Sequence, residues 1–174
     1  DVTDDGIAWR ALPGMKKALF LANSYEHNRY GWATEEIDAR VEQVDRRNKK
    51  FGLYEKTVPH QVIYGDPNAD LTLVAWGSTK GPVLQALAEL KNEGFKKSVN
   101  FLHITAVWPL PAAQIADVLG SAKKTLLIEG NSQAQMGQLI RQETGVHLKD
   151  QYLRYDGRPF YPEDIKAKIK ERLT

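Results

Sequence analysis

Residues 71–94, LTLVAWGSTKGPVLQALAELKNEG, constrain the fold of this chain more than any other stretch. The run from Leu71 to Trp76 is apolar-leaning on both alternating faces, which is how a strand reads when helices cover both sides of its sheet. A glycine-serine-threonine turn follows, and then Val83, Leu84, Leu87 and Leu90 line one face of a helix. Gly94 stands where a left-handed cap would end that helix. Strand, tight turn and helix form the first half of a β-α-β unit. The same turn places backbone N–H groups and two hydroxyls at a helix N-terminus, where an anion or a partner's backbone can bind.

The pattern repeats downstream. Strands are predicted at 61–64, 71–76, 99–104, 125–129 and 152–155, with helices at 82–93, 111–119, 132–144 and from Pro162 onward. Gly145 is the expected stop of the third helix, and Glu163 and Asp164 suit the first turn of the last. Helices between successive strands imply crossover connections and a parallel sheet. The expected fold is a three-layer α/β/α, doubly wound domain over 59–174, with a mainly parallel five-stranded sheet and an extended N-terminal arm.

Residues 1–33 show no clean period and read as an arm that lies on something else. Residues 34–58 read as a connecting helix and loop. Thr34 is the expected N-cap, and Ile37, Val41, Val44 and Phe51 form a narrow apolar stripe on a charged helix ending near Phe51. The run Asp45 to Lys50 fits a solvated helix face, and less readily a phosphate patch.

Bulk composition narrows the function classes. With 174 residues the chain has length for one domain and an arm. A net charge of +2 with scattered Lys and Arg gives no reason to expect nucleic acid, and no apolar run approaches the ~20 residues of a membrane span. No secretory signal is visible, so a cytoplasmic location is expected. Without cysteine, the chain has no disulfide, no thiolate nucleophile and no cysteine ligand for a cluster. His27, His60, His103 and His147 lie far apart, with no zinc-type spacing. No metal site is expected.

An open parallel sheet binds ligands at the carboxyl ends of its strands, where the strand order reverses. Three loops fall there: GSTKG at 77–81, TAVWPLP at 105–111 and GNSQAQ at 130–135. The first supplies the candidate binding residues Gly77, Ser78, Thr79 and Lys80, although it lacks the P-loop spacing. Helix capping is the ordinary use of Ser78 or Thr79. Glu129 ends a strand and suits either acid–base work or capping of the next helix. Glu26 and His27 are adjacent, but neighbours in an extended segment point opposite ways. Trp76 and Trp108 read as packing anchors, and Arg158 as a turn or partner residue. No catalytic residue is assigned, because no nucleophile, base and orienting group come together.

Six motifs occur in order: R-x-L-P-G from Arg10, E-H-x-x-x-G-x-x-T-E from Glu26, W-G-S-T-K-G-P from Trp76, P-L-P from Pro109, E-G-N…G-Q-L-I-R from Glu129 to Arg141, and Y-D-G-R-P-F from Tyr155. Together they resemble the C-terminal part of the alpha subunit of 2-oxoacid:ferredoxin oxidoreductases, from about residue 6 onward. The resemblance implies a transketolase C-terminal-like domain with one antiparallel edge strand, a part that residues 61–64 would play. It implies an enzyme that oxidatively decarboxylates a 2-oxoacid to its acyl-CoA and passes electrons to ferredoxin. Thiamine diphosphate, Mg and iron–sulfur clusters would be held elsewhere, by an upstream part of the alpha subunit and a beta subunit. The upstream segment that approaches the cofactor is absent, so the sequence reads as truncated and is expected to be inactive alone. One departure is Ala134, where relatives usually have glycine. Two alternatives remain open: a stand-alone domain binding coenzyme A or a nucleotide through its phosphates, and the equivalent domain of another thiamine-diphosphate enzyme.

Overall fold

The computed structural model describes residues 3–16, 19–21 and 23–174. Residues 1, 2, 17, 18 and 22 of the expected arm lie outside the described residues. The chain divides into two compact units, Asp1–Val58 and Pro59–Thr174.

The second unit is built on a five-stranded sheet in the order β1-β3-β2-β4-β5. Its strands are β1 (Val62–Tyr64), β2 (Leu71–Trp76), β3 (Val99–Ile104), β4 (Thr125–Glu129) and β5 (Gln151–Leu153). Strands β2 to β5 are parallel, and β1 runs antiparallel to β3, with Ile63 opposite Leu102. A fold of this kind, with one antiparallel edge strand, is the architecture expected from the sequence.

Residues of β2 alternate between two cores, which is why the strand is apolar apart from Thr72. Leu71, Leu73 and Ala75 join Phe101 and Ile128 on the face covered by α2 (Lys80–Asn92) and α5 (Pro162–Leu173). Val74 joins Leu102, Ile104 and Leu127 on the opposite face, under α3 (Ala112–Ser121) and α4 (Gln135–Thr144). Each fully buried Leu or Ile of these layers contributes roughly 1.5–3 kcal/mol through the water-exposed surface it removes. Lys166 of α5 bonds Glu89 at 2.6 Å and Glu93 at 2.8 Å, so charges also tie α5 to α2.

Several boundaries shift from the sequence expectation. The first crossover helix begins not at Pro82 but with a 3-10 turn, Gly77–Thr79, that runs straight into α2. Pro82 is tolerated because the N–H groups of a first turn have no intrahelical acceptor. Pro111 occupies the N-cap position of α3 and not its first turn. Helix α4 begins at Gln135, because residues 131–134 are held as a turn by Asn131, whose Oδ1 accepts the N–H groups of Gln133 and Gln135. The β5 strand ends at Leu153, two residues short of Tyr155.

The first unit contains α1 (Ile37–Glu55) and the arm before it. Thr34 is not the N-cap; that position belongs to Glu36, whose N–H donates to Thr34 Oγ1 at 3.2 Å. The helix also continues past Phe51 to Glu55. Its expected apolar stripe is largely solvent-facing, with Ile37 at 79% and Val41 at 54% exposure, and the buried residue is Gln43. The arm is anchored instead by charge. Arg47 grips Glu26 with two bonds, at 3.0 and 2.7 Å, and Arg40 stands 3.6 Å from the same carboxylate. These cations hold the Glu26 carboxyl at about 2, well below its ordinary 4.5. Gly6 lies so close to α1 that a Cβ there would come within 2.6 Å of the Arg46 carbonyl oxygen.

Candidate functional site

The strand order reverses between β2, which connects toward β3, and β4, which connects toward β5. At their carboxyl ends lies an open cleft of about 370 Å³. The 3-10 turn after β2 forms one wall, Gly130 and Asn131 after β4 form another, and Arg158 and Phe160 from the loop before α5 close the side. This is where a doubly wound sheet is expected to receive a ligand.

Gly77 (φ 60°), Ser78 and Thr79 line the cleft. Gly77 adopts the left-handed region that lets the chain turn sharply out of β2. Neither hydroxyl caps α2: Thr79, buried to 8% exposure, donates its Oγ1 hydrogen back to the Trp76 carbonyl at 2.6 Å. Ser78 is exposed. The leading N–H groups of the turn, those of Gly77 and Ser78, have no acceptor within the helix. Lys80 is not among the cleft residues. Its Nζ lies 5.6 Å over the Tyr64 ring, beside the edge strand β1.

Arg158 is exposed and makes no ion pair among the described residues. The nearby Asp156 is engaged by Arg154, which also reaches Asp164 at 2.7 Å. The loop holds its shape through Asp156 Oδ1, which accepts the Arg158 backbone N–H at 3.0 Å. The cleft thus combines a free guanidinium, leading helix N–H groups and one hydroxyl, a set suited to oxyanions such as phosphate or carboxylate.

Glu129 ends β4 but leaves no acid–base function to the cleft. Fully buried, it accepts the N–H groups of Met136 at 3.1 Å and Gly137 at 2.8 Å, and the Asn131 side-chain amide at 2.6 Å. It caps α4 from the strand, one of the two roles a strand-end carboxylate suggests. Ala134 sits at φ 52°, a left-handed conformation that favours glycine, and its methyl packs into the core beneath α3 and α4. Glu26 and His27 form no dyad, since Glu26 belongs to Arg47.

Two features escaped sequence reasoning. His103, at 7% exposure, has both ring nitrogens buried without a hydrogen-bond partner. Burial pushes its pKa below the ordinary 6.5, and nearby Lys80 adds to the effect. Gln61, at 4% exposure, accepts the Thr105 and Ala106 N–H groups through its side-chain oxygen, so it fixes the loop after β3. Its polar side chain flanking an apolar strand was the only signal available.

Among the described residues no group of three or more His, Cys, Asp or Glu is placed to hold a metal ion, and no helix is long and apolar enough to cross a membrane. The arrangement at the cleft offers a cationic side chain and a hydroxyl. It contains no nucleophile paired with a base.

Comparison with known proteins gives a consistent result. Residues 69–165 match the family described as pyruvate:ferredoxin oxidoreductase core domain II. The chain is 31% identical, over 99% of its length, to a 2-oxoacid:ferredoxin oxidoreductase alpha subunit of Aeropyrum pernix, and spans 27% of that relative. The corresponding subunit of Saccharolobus solfataricus is 28% identical over 98% of the chain, which again spans 27% of it. The chain therefore covers about a quarter of the length of these relatives. Among solved structures, 2-oxoglutarate:ferredoxin oxidoreductase from Magnetococcus marinus, with 2-oxoglutarate, coenzyme A and succinyl-CoA bound, superposes with a TM-score of 0.76 and 28% identity. That match covers all of this chain and 30% of the other. A split-gene transketolase, at 14% identity and a TM-score of 0.50 over 66% of this chain and 41% of the other, shares the fold alone.

Proposed function

Since the chain belongs to the pyruvate:ferredoxin oxidoreductase core domain II family, we propose that it serves as a non-catalytic assembly domain at the C-terminal end of an alpha subunit. The whole enzyme would oxidatively decarboxylate a 2-oxoacid to its acyl-CoA with ferredoxin as electron acceptor, in the cytoplasm. The observation that carries the non-catalytic role is Glu129. As the carboxylate at the strand ends of the switch-point cleft, it is wholly committed to capping α4. Thiamine diphosphate and Mg would be held by the upstream part of the subunit and a beta subunit. Iron–sulfur clusters would be held outside residues 1–174, which contain no cysteine to ligate them. The test is an assay of the purified chain with a 2-oxoacid, coenzyme A, thiamine diphosphate and an electron acceptor. No turnover and no bound iron are expected; turnover would overturn the reading.

A second reading is favoured by Arg158, which lines the cleft and has no carboxylate partner among the described residues. In it, the cleft takes the phosphate of a ligand such as coenzyme A, which is bound in the Magnetococcus marinus structure. Calorimetric titration of the chain with coenzyme A separates the two. Binding weakened by Ser78→Ala and Arg158→Ala, but not by Lys80→Ala, supports the ligand role; absence of binding excludes it.

A further inference from the structure

Helix α2 carries its charge unevenly. On the flank toward α5, Glu89 and Glu93 are neutralised by Lys166 and Lys170 at 2.6–2.8 Å. Near the opposite flank, toward β1, Lys91 and Lys97 are exposed and pair with no carboxylate among the described residues. Between these lysines and the sheet runs an open groove of about 390 Å³. Its floor is apolar: Tyr64, Leu84, Leu87 and Phe95 rest half-buried on the core beneath α2.

The strand that bounds this groove is an edge. Strand β1 pairs only with β3, so the N–H and C=O groups along its outer side have no ladder partner. Its three residues are Val62, Ile63 and Tyr64, without the lysine or proline that ordinarily protects an exposed edge. Val62 and Ile63 are 38% and 37% exposed. Beyond Gln61, whose backbone groups Gln114 covers, this short edge stays open beside an apolar groove, and an open edge is what an added polypeptide segment uses. Backbone hydrogen bonds supply affinity and side-chain pockets supply selection.

We propose that the groove between α2 and β1 receives an amphipathic, acidic polypeptide segment of another part of the enzyme, its apolar side chains on Leu84, Leu87 and Phe95 and its carboxylates against Lys91 and Lys97. The charge of the rim selects an acidic segment over a basic one, and the open edge selects a polypeptide over a small anion. This rests on the reading that the chain belongs to a multisubunit oxidoreductase.

Lysine footprinting tests it. The isolated chain and the native oxidoreductase containing it are acetylated side by side, with exposed Lys149 as the internal reference. In the isolated chain Lys91 and Lys97 react at the rate of Lys149; in the native enzyme they react at least ten-fold more slowly. Charge reversal by Lys91→Glu with Lys97→Glu, both surface changes, lowers recovery of this chain in assembled enzyme, whereas Lys149→Glu does not. Equal acetylation rates in the native enzyme overturn the groove while leaving the assembly role standing. Protection lost on exhaustive dialysis without loss of subunits indicates a small anion and also overturns it. Absence of the chain from any oxidoreductase removes the assembly role and the groove together.

Discussion

The carboxylate of Glu129 reaches eight residues along the chain to accept the backbone N–H of Gly137 at 2.8 Å, and the glycine is matched to that reach. A Cβ at position 137 would lie 2.6 Å from the buried Leu127 Cδ2. Replacing Glu129 by alanine strands buried N–H donors at the start of α4, and a loss of about 2–3 kcal/mol is expected. Glu129→Gln keeps one acceptor and loses less. Gly137→Ala gains helix propensity but overpacks Leu127, for a net loss of about 1 kcal/mol. Urea denaturation of the three variants checks the order; an unchanged midpoint for Glu129→Ala would refute the capping role.

Gln114 acts on Gln61 as a neighbouring strand would. Its side-chain oxygen accepts the Gln61 N–H at 2.6 Å, and its amide donates to the Gln61 carbonyl at 3.1 Å. Gln114→Ala leaves both groups unpaired at a residue only 4% exposed, so a loss of about 1–3 kcal/mol is expected. Gln114→Glu, which accepts but cannot donate, falls between. Amide exchange at Gln61 should quicken in parallel.

His103 makes the second unit acid-sensitive. Its folded pKa lies below the ordinary 6.5, so the unfolded chain binds the proton more readily. Stability is therefore full above about pH 6.5 and declines as the pH falls from there toward the lower folded value. Among the charged groups near it, Lys80 also opposes protonation. His103→Leu should keep the stability seen at pH 8 and flatten the slope between pH 6.5 and 5. An unaltered slope would show that another group titrates there.

The Glu26–Arg47 pair holds the arm on α1 and sets a lower pH window. With the Glu26 carboxyl at about 2 in the fold against an ordinary 4.5, the contact is complete above pH 4.5 and lost as the pH falls through about 2. Glu26→Gln or Arg47→Ala should release the arm at neutral pH. Faster amide exchange at Thr34, whose N–H donates to the Glu26 carbonyl, reports it. Helix α1 itself should remain protected.

Much of the fold was legible because burial leaves a local trace. Strands β2, β3 and β4 were readable to the residue, since each lies inside the sheet and needs an apolar run. Even Asn100 and His103 did not hide β3. Boundaries governed by side chains from elsewhere were not readable. The start of α4 depends on Glu129 and Asn131, and the start of α2 on a 3-10 turn without any cap. The α1 stripe misled for a related reason: periodicity marks an apolar face but not whether the chain covers it, and Ile37 stays 79% exposed.

By itself the sequence determined the layered α/β fold, because covering a strand on two faces or a helix on one is a matter of spacing along the chain. The family followed from six ordered motifs. Tertiary structure alone decided what the turn after β2 became. It turned Thr79 back to the Trp76 carbonyl, sent Lys80 to the Tyr64 ring and brought Arg158 to the cleft in its place. The physical reason is that the Tyr64 ring met by Lys80 and the cleft lined by Arg158 are assembled from segments distant in sequence, and that a hydroxyl's choice between a helix cap and a nearby carbonyl depends on the turn geometry. No local periodicity records which of them meet.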